Sequence, residues 1–193
     1  NSGTIILNGK EALGVNNAGT FTMAGGAITS GAENSIGVYA EGAAASTTVS
    51  GGSVTAQNGG IAFYSGDNTT INVSGANLIT AKAGGLAFYN HVNGGTVTGQ
   101  YNITAPSSVK VEAGGMLLYA RVTSLSGITS MSGAIKSAFN NAGNMTANMD
   151  AGSNIMYIDT PGSLTANIGV FTGLPDMTVG FFNFVGTLVL VSP

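Results

Sequence analysis

The 193-residue chain has no cysteine, no tryptophan, one histidine and four prolines. Charged residues make up 7% of it, against about 25% in typical soluble domains. Each scarcity excludes something. One histidine and no cysteine leave zinc without a ligand set. No disulfide can staple the fold, so stability must come from packing alone. Four lysines and one arginine do not make the basic face that nucleic acid requires, so that partner class is rejected. The longest apolar run, MTVGFFNFVGTLVLV at 177–191, is shorter than the about 20 residues of a membrane helix. Its valine, phenylalanine and threonine favour strand. No initiator methionine and no signal-like segment precede the strand-like start at Asn1, so a piece of something longer is expected.

Glycine is abundant, with 31 residues, and alanine, serine, threonine and asparagine are frequent. Hydrophobic residues reach 44%, enough for a core, so disorder is not expected. Solubility has to rest on Asn, Ser and Thr, because the net charge is only −3.

The informative feature is internal repetition. GGIAFYSG at 59–66 returns as GGLAFYN at 84–90. Related strands end at Tyr39 (SIGVY) and Tyr119 (MLLY), with an earlier ALGVN ending at Asn16. SAFN ending at Asn140 reads as a further copy, because FNNAGNMTA resembles VNNAGTFTM, and NIMY at Tyr157 is a looser one. The intervals are 23, 25, 25, 30, 21 and 17 residues, a drift expected when turns of variable length join fixed strands. A strict pleat places Ile61 and Phe63 on one bulky face, directed into a core, and Ala62 and Tyr64 on a second, outer face. Leu13/Val15, Ile36/Val38, Leu86/Phe88 and Met116/Leu118 follow the same rule.

Two more short strands recur in each unit. TFTM, TTV and TTINV place Met23, Val49 and Val73 at matching positions, and AITS (27–30), SVTA (53–56) and NLIT (77–80) follow glycine-rich turns. Three short strands in about 20–25 residues, with Gly and Asn at corners that need positive φ, predict a right-handed parallel β-helix. Seven to eight coils over residues 1–171 are expected, with 172–193 as an irregular, capping or continuing β segment. Leucine-rich repeats and propeller blades do not fit, the first for want of Leu-x-x-Leu-x-Leu and the second on length. Flat Thr-x-Thr ladders of an ice-binding helix are not in register with the tyrosine period.

NSGTIILNG, ALGV, SIGVYAEG and GIAFYSG resemble the passenger region of bacterial autotransporters, most closely the large fusobacterial outer-membrane adhesins. The resemblance covers roughly residues 1–125 and is one of repetitive phrase rather than of a catalytic motif. It implies a secreted β-helix held at the cell surface by its own C-terminal outer-membrane β-barrel, and acting as an adhesin or adhesin stalk.

The acidic residues do not assemble into an enzyme's pattern. Asp67, Asp150, Asp159 and Asp176 fall in different units, and Glu11, Glu33, Glu41 and Glu112 fall near corners, so no carboxylate pair for glycoside cleavage is expected. His91 reads as a solvated turn residue. No calcium repeat, P-loop or other cofactor motif is present, and no metal or cofactor is expected. The four sequons at Asn68, Asn72, Asn102 and Asn144 follow from composition. What remains is an outward column of Tyr39, Tyr64, Tyr89 and Tyr119, the candidate binding residues for a glycan or protein on a host or neighbouring cell. The loops SGDNTT (65–70) and YNHVNGG (89–95) flank it. A polysaccharide-acting enzyme and a plain structural spacer are the other two readings.

Overall fold

The computed structural model describes residues 3–74, 78–93, 96–97, 99–124, 138–141, 144–167, 176–177 and 181–191. These residues form strands joined by turns, with no α-helix among them. One sheet stacks β2 (Leu13–Asn17), β4 (Ile36–Ala40), β6 (Ile61–Ser65), β9 (Leu86–Asn93), β13 (Met116–Ser124), β16 (Asn154–Asn167) and β18 (Phe181–Val191) in that order, all parallel. The short β10 (Thr96–Val97) pairs antiparallel with β9.

The second sheet contains two ladders joined at a bend. β3 (Thr20–Ser30) and β5 (Ser46–Ala56) each run through both. The first half of β5 pairs with β7 (Thr69–Val73), and the second half pairs with β8 (Leu78–Ala81). From there one ladder continues through β11 (Gly99–Ile103) to β14 (Phe139–Asn140). The other passes β12 (Ser107–Val111) and β15 (Met145–Met149) to β17 (Asp176–Met177), while β1 (Thr4–Leu7) pairs with β3. The result is a parallel β-solenoid whose turns stack strand on strand.

Register follows the repeat closely. Ile61 pairs with Ile36 and Leu86, and Tyr64 with Tyr39 and Tyr89. Met23, Val49 and Val73 share one rung position, as expected. The third strand of the third turn is described from Leu78, and Asn77 of the NLIT phrase lies outside the described residues. One expected copy is misplaced. Phe139 and Asn140 pair with Tyr101 and Asn102 in the second sheet, not with the tyrosine strands. An apolar–Asn–Asn phrase before a turn suits any corner of the solenoid, so the likeness to residues 15–23 is local and carries no register.

The corners are where glycine and asparagine are required. Asn58 and Gly59 both take positive φ, 53° and 85°, and so turn the chain sharply into β6. Gly85 is needed for a different reason. A Cβ there would lie 2.1 Å from the Ala56 carbonyl oxygen of the turn below.

The core is one continuous cluster running from Met23 to Met156. Its aromatic centre stacks Phe63 on Phe88 with centroids 5.7 Å apart, and sets Tyr101 and Phe139 against Phe88 at 5.0 and 5.3 Å. A ring of this kind, when fully buried, contributes about 1.5–3 kcal/mol. Tyr101 is wholly buried and still satisfied. Its hydroxyl accepts the Ser65 N–H at 3.2 Å and has the Phe63 and Tyr89 carbonyls as acceptors for its proton. It serves this role at the point where pairing between β6 and β9 ends, at Tyr64 and Tyr89.

The pleat of the tyrosine strand departs from strict alternation. In β6, Ile61 is half-buried, Ala62 and Phe63 are fully buried, Tyr64 is half-buried and Ser65 is buried. β4, β9 and β13 show the same order. A Cβ built on Gly37, the counterpart of Ala62, would face the Val54 and Ile28 side chains of the core. So two consecutive residues point inward. The ladder skips the first of them, passing from Ile61–Leu86 to Phe63–Phe88. The expectation that Ile61 enters the core while Ala62 faces out is therefore reversed. The first inward position reads Gly14, Gly37, Ala62, Ala87, Leu117 and Ile155 along the solenoid, and the second reads Val15, Val38, Phe63, Phe88, Leu118 and Met156.

Candidate binding surface

The irregular pleat creates the surface feature of interest. With Ala62 and Phe63 both turned in, Ile61 and Tyr64 are left outside on either side of a shallow trough. Repeated in each turn, this gives a row of Ile36, Ile61 and Leu86 facing a row of Tyr64, Tyr89 and Tyr119. The trough runs across the strands, along the solenoid axis. It is an open channel of about 570 Å³, within the range of small-ligand sites. The Gly59, Gly60 and Gly84 corners border it without side chains, and Arg121 contributes to its lining.

The sequence-predicted tyrosines form one ladder, joined by Tyr157. Ring centroids step by 5.0 Å from Tyr39 to Tyr64, 4.4 Å to Tyr89, 5.4 Å to Tyr119 and 5.1 Å to Tyr157. The rings are not equivalent. Tyr89, Tyr119 and Tyr157 lie nearly parallel, at 15° and 12°, so each covers its neighbour's face. Tyr39, Tyr64 and Tyr89 are tilted by 49° and 42°, which leaves part of each face open.

A polar column flanks the tyrosines on the side away from the aliphatic row. His91, Arg121 and Asp159 occupy one register position on β9, β13 and β16. The Tyr119 hydroxyl donates to Asp159 Oδ2 at 2.9 Å, and the charge of Arg121 acts on the Tyr89 phenol. Glu41 lies near Tyr39 and acts on it through its charge. His91 Nδ1 lies 3.8 Å from Asp67 Oδ1, and Nε2 lies 3.1 Å from Thr123 Oγ1. His91 is thus a half-buried strand residue with an acidic neighbour, not the solvated turn residue expected. Of the two segments expected as loops, the first supplies Asp67 to this contact, whereas residues 89–93 of the second belong to β9 and 94–95 lie outside the described residues.

Burial holds these phenols in the neutral form. Tyr64 is pushed up to about 12, by burial first and then by the neighbouring tyrosines and Asp67. Tyr39 and Tyr89 are raised chiefly by burial, although Arg121 opposes the shift at Tyr89. Burial and donation to Asp159 raise Tyr119. The hydroxyls therefore remain hydrogen-bonding groups across the physiological range.

Sequence reasoning finds the tyrosines and misses three partners. Asp159 reads there as an isolated acid, and neither Arg121 nor the Ile36–Ile61–Leu86 row stands out as a surface feature. A signal for Arg121 and Asp159 is present, since both stand two residues after a ladder tyrosine, on the same outward face. Of the remaining acids, Asp150 pairs with Lys110 and Glu33 with Lys10; neither lines the channel, and Glu33 sits beside its Gly59 corner. Among the described residues no three His, Asp or Glu side chains cluster as metal ligands would. Nor do they include a helix long and apolar enough to cross a membrane. No family model, curated protein or solved structure matches the chain.

Proposed function

We propose that this chain is a non-enzymatic cell-surface protein that binds a linear polymer, a glycan or an extended protein segment, along the axial channel. The observation that carries the reading is the channel itself, an aliphatic row facing partly open tyrosine rings and repeated once per turn. A surface repeating along an axis suits a ligand that repeats along its length. The resemblance to autotransporter passengers supplies the setting. In that setting the solenoid is right-handed, has seven to eight coils and is carried outside the cell by a C-terminal outer-membrane barrel. The seven-strand tyrosine sheet supports that count.

The spacer reading has its own support, because the rings from Tyr89 to Tyr157 are occupied with one another. A glycan array and a cell-binding assay with wild type and the double variant Tyr64→Ala/Tyr89→Ala separate the two. About a tenfold or greater loss of binding in the variant is expected if the open rings are hot spots. Unchanged binding would reject the channel. Depolymerisation of any glycan by wild type would reject the non-enzymatic reading.

A further inference from the structure

We infer that the channel's ligand is a linear glycan carrying acidic groups, carboxylate or sulfate, and that Arg121 is the residue that selects it. This deepens, and rests on, the reading of the channel as a binding site. Arg121 is the only arginine in the sequence, it is exposed, and it stands on β13 at the channel lined by Tyr89 and Tyr119. It interacts with the Tyr89 hydroxyl, which lines the same channel. The guanidinium carries five N–H donors in a planar fork.

The nearest opposite charge is Asp159, which acts on Arg121 across the strand pair without forming an ion pair with it. The ion pairs among the described residues are Lys10–Glu33, His91–Asp67 and Lys110–Asp150, and none involves Arg121. Asp159, its neighbour in the column, accepts the Tyr119 hydroxyl. In a chain with five cationic side chains, an arginine held at an apolar-walled channel outside any of these ion pairs is a specific feature. A planar fork of donors matches carboxylate or sulfate oxygens.

A glycan fits this lining better than a peptide does. Ile36, Ile61 and Leu86 offer aliphatic contact to the C–H patches of a sugar ring, and the Tyr64 hydroxyl and the Asn34 side-chain amide offer hydrogen-bonding groups to its hydroxyls. The channel crosses the face of strands that each have a paired neighbour on both sides. It therefore presents no free strand edge to satisfy a peptide backbone.

The experiment compares ligands that differ only in charge. Wild-type protein is titrated with oligogalacturonate and its methyl ester, and with a heparin fragment and its desulfated form. A neutral cello-oligosaccharide and polyglutamate complete the set. At least one acidic glycan should bind about tenfold more tightly than its neutralised twin. The preference should weaken with salt and vanish in Arg121→Gln, with the variant's fold checked by circular dichroism. Arg121→Lys should retain part of the preference, because the charge remains and the fork is lost. Equal binding of charged and neutral twins by wild type would overturn the role of Arg121 while leaving the channel as a binding site. A preference that survives in Arg121→Gln would do the same. Polyglutamate binding as tightly as the acidic glycan would overturn the glycan assignment. Binding of no glycan would overturn this inference, and the channel reading falls with it only if cell binding is also unchanged in Tyr64→Ala/Tyr89→Ala.

Discussion

Six tyrosines occupy two environments, and the difference lies in what ionisation would do to each. Tyr101 is sealed in the core, while Tyr39, Tyr64, Tyr89, Tyr119 and Tyr157 are half-exposed in the ladder. In the unfolded chain a tyrosine ionises near 10. Folding raises Tyr39, Tyr64, Tyr89, Tyr101 and Tyr119, with Tyr64 at about 12. The native state keeps its phenolic protons after the unfolded state has begun to lose them. The tyrosine contribution to stability is therefore complete below about pH 10 and is lost as pH climbs from there through about 12. Urea midpoints measured from pH 8 upward should be level to about pH 10 and then fall, with tyrosinate absorbance in the native protein lagging that of the denatured chain. Midpoints that hold level through pH 11, or native and denatured absorbance curves that coincide, would contradict the assigned burial. The tyrosine column is legible in the sequence because an aromatic residue recurring at one place in each unit marks one fixed position in the stack. Arg121 and Asp159 are not, because their significance depends on which strand lies alongside, and that register appears only once the turns are stacked.

At the level of the strand, the repeat determines where strands lie but not which way every side chain points. The large–small–large order of Ile61, Ala62 and Phe63 reads naturally as a change of face. Packing decides otherwise. The backbone kinks so that the small and the large residue share the interior, and the first large residue is displaced outward to wall the channel. The corners are stricter than the strands. Gly85→Ala would place a methyl 2.1 Å from the Ala56 oxygen, an overlap with backbone that no rotamer relieves. A loss on the order of 3 kcal/mol is expected. Gly84→Ala, strained by its φ of 70° but with its nearest contact at 3.3 Å, should cost only about 1–2 kcal/mol. Urea unfolding of the two variants gives the ranking, and equal losses would show that the stacking distance at Gly85 is not limiting.

For the molecule as a whole, each turn touches its neighbours and little else, so damage should spread by adjacency. Native-state hydrogen exchange on Gly85→Ala should show lost protection in β6 and β9 and near-normal protection in β2 and β3. A uniform loss across the tyrosine sheet would mean that the solenoid opens only as one unit. The solenoid class is readable from the sequence because period and corner chemistry agree, whereas the phrase at residues 139–147 shows that likeness alone does not assign a strand to its ladder. The paired interior residues have a consequence for how such a chain avoids misthreading. Near-identical strands invite a one-turn slip during folding. Gly14/Val15 and Gly37/Val38 are interchangeable by volume, as are Ala62/Phe63 and Ala87/Phe88, but Leu117/Leu118 and Ile155/Met156 match neither set. A slip within a set meets no steric penalty, whereas one across sets drives a phenylalanine into space shaped for valine or leaves a void. The graded interior thus acts as an address, confining off-register intermediates to adjacent turns.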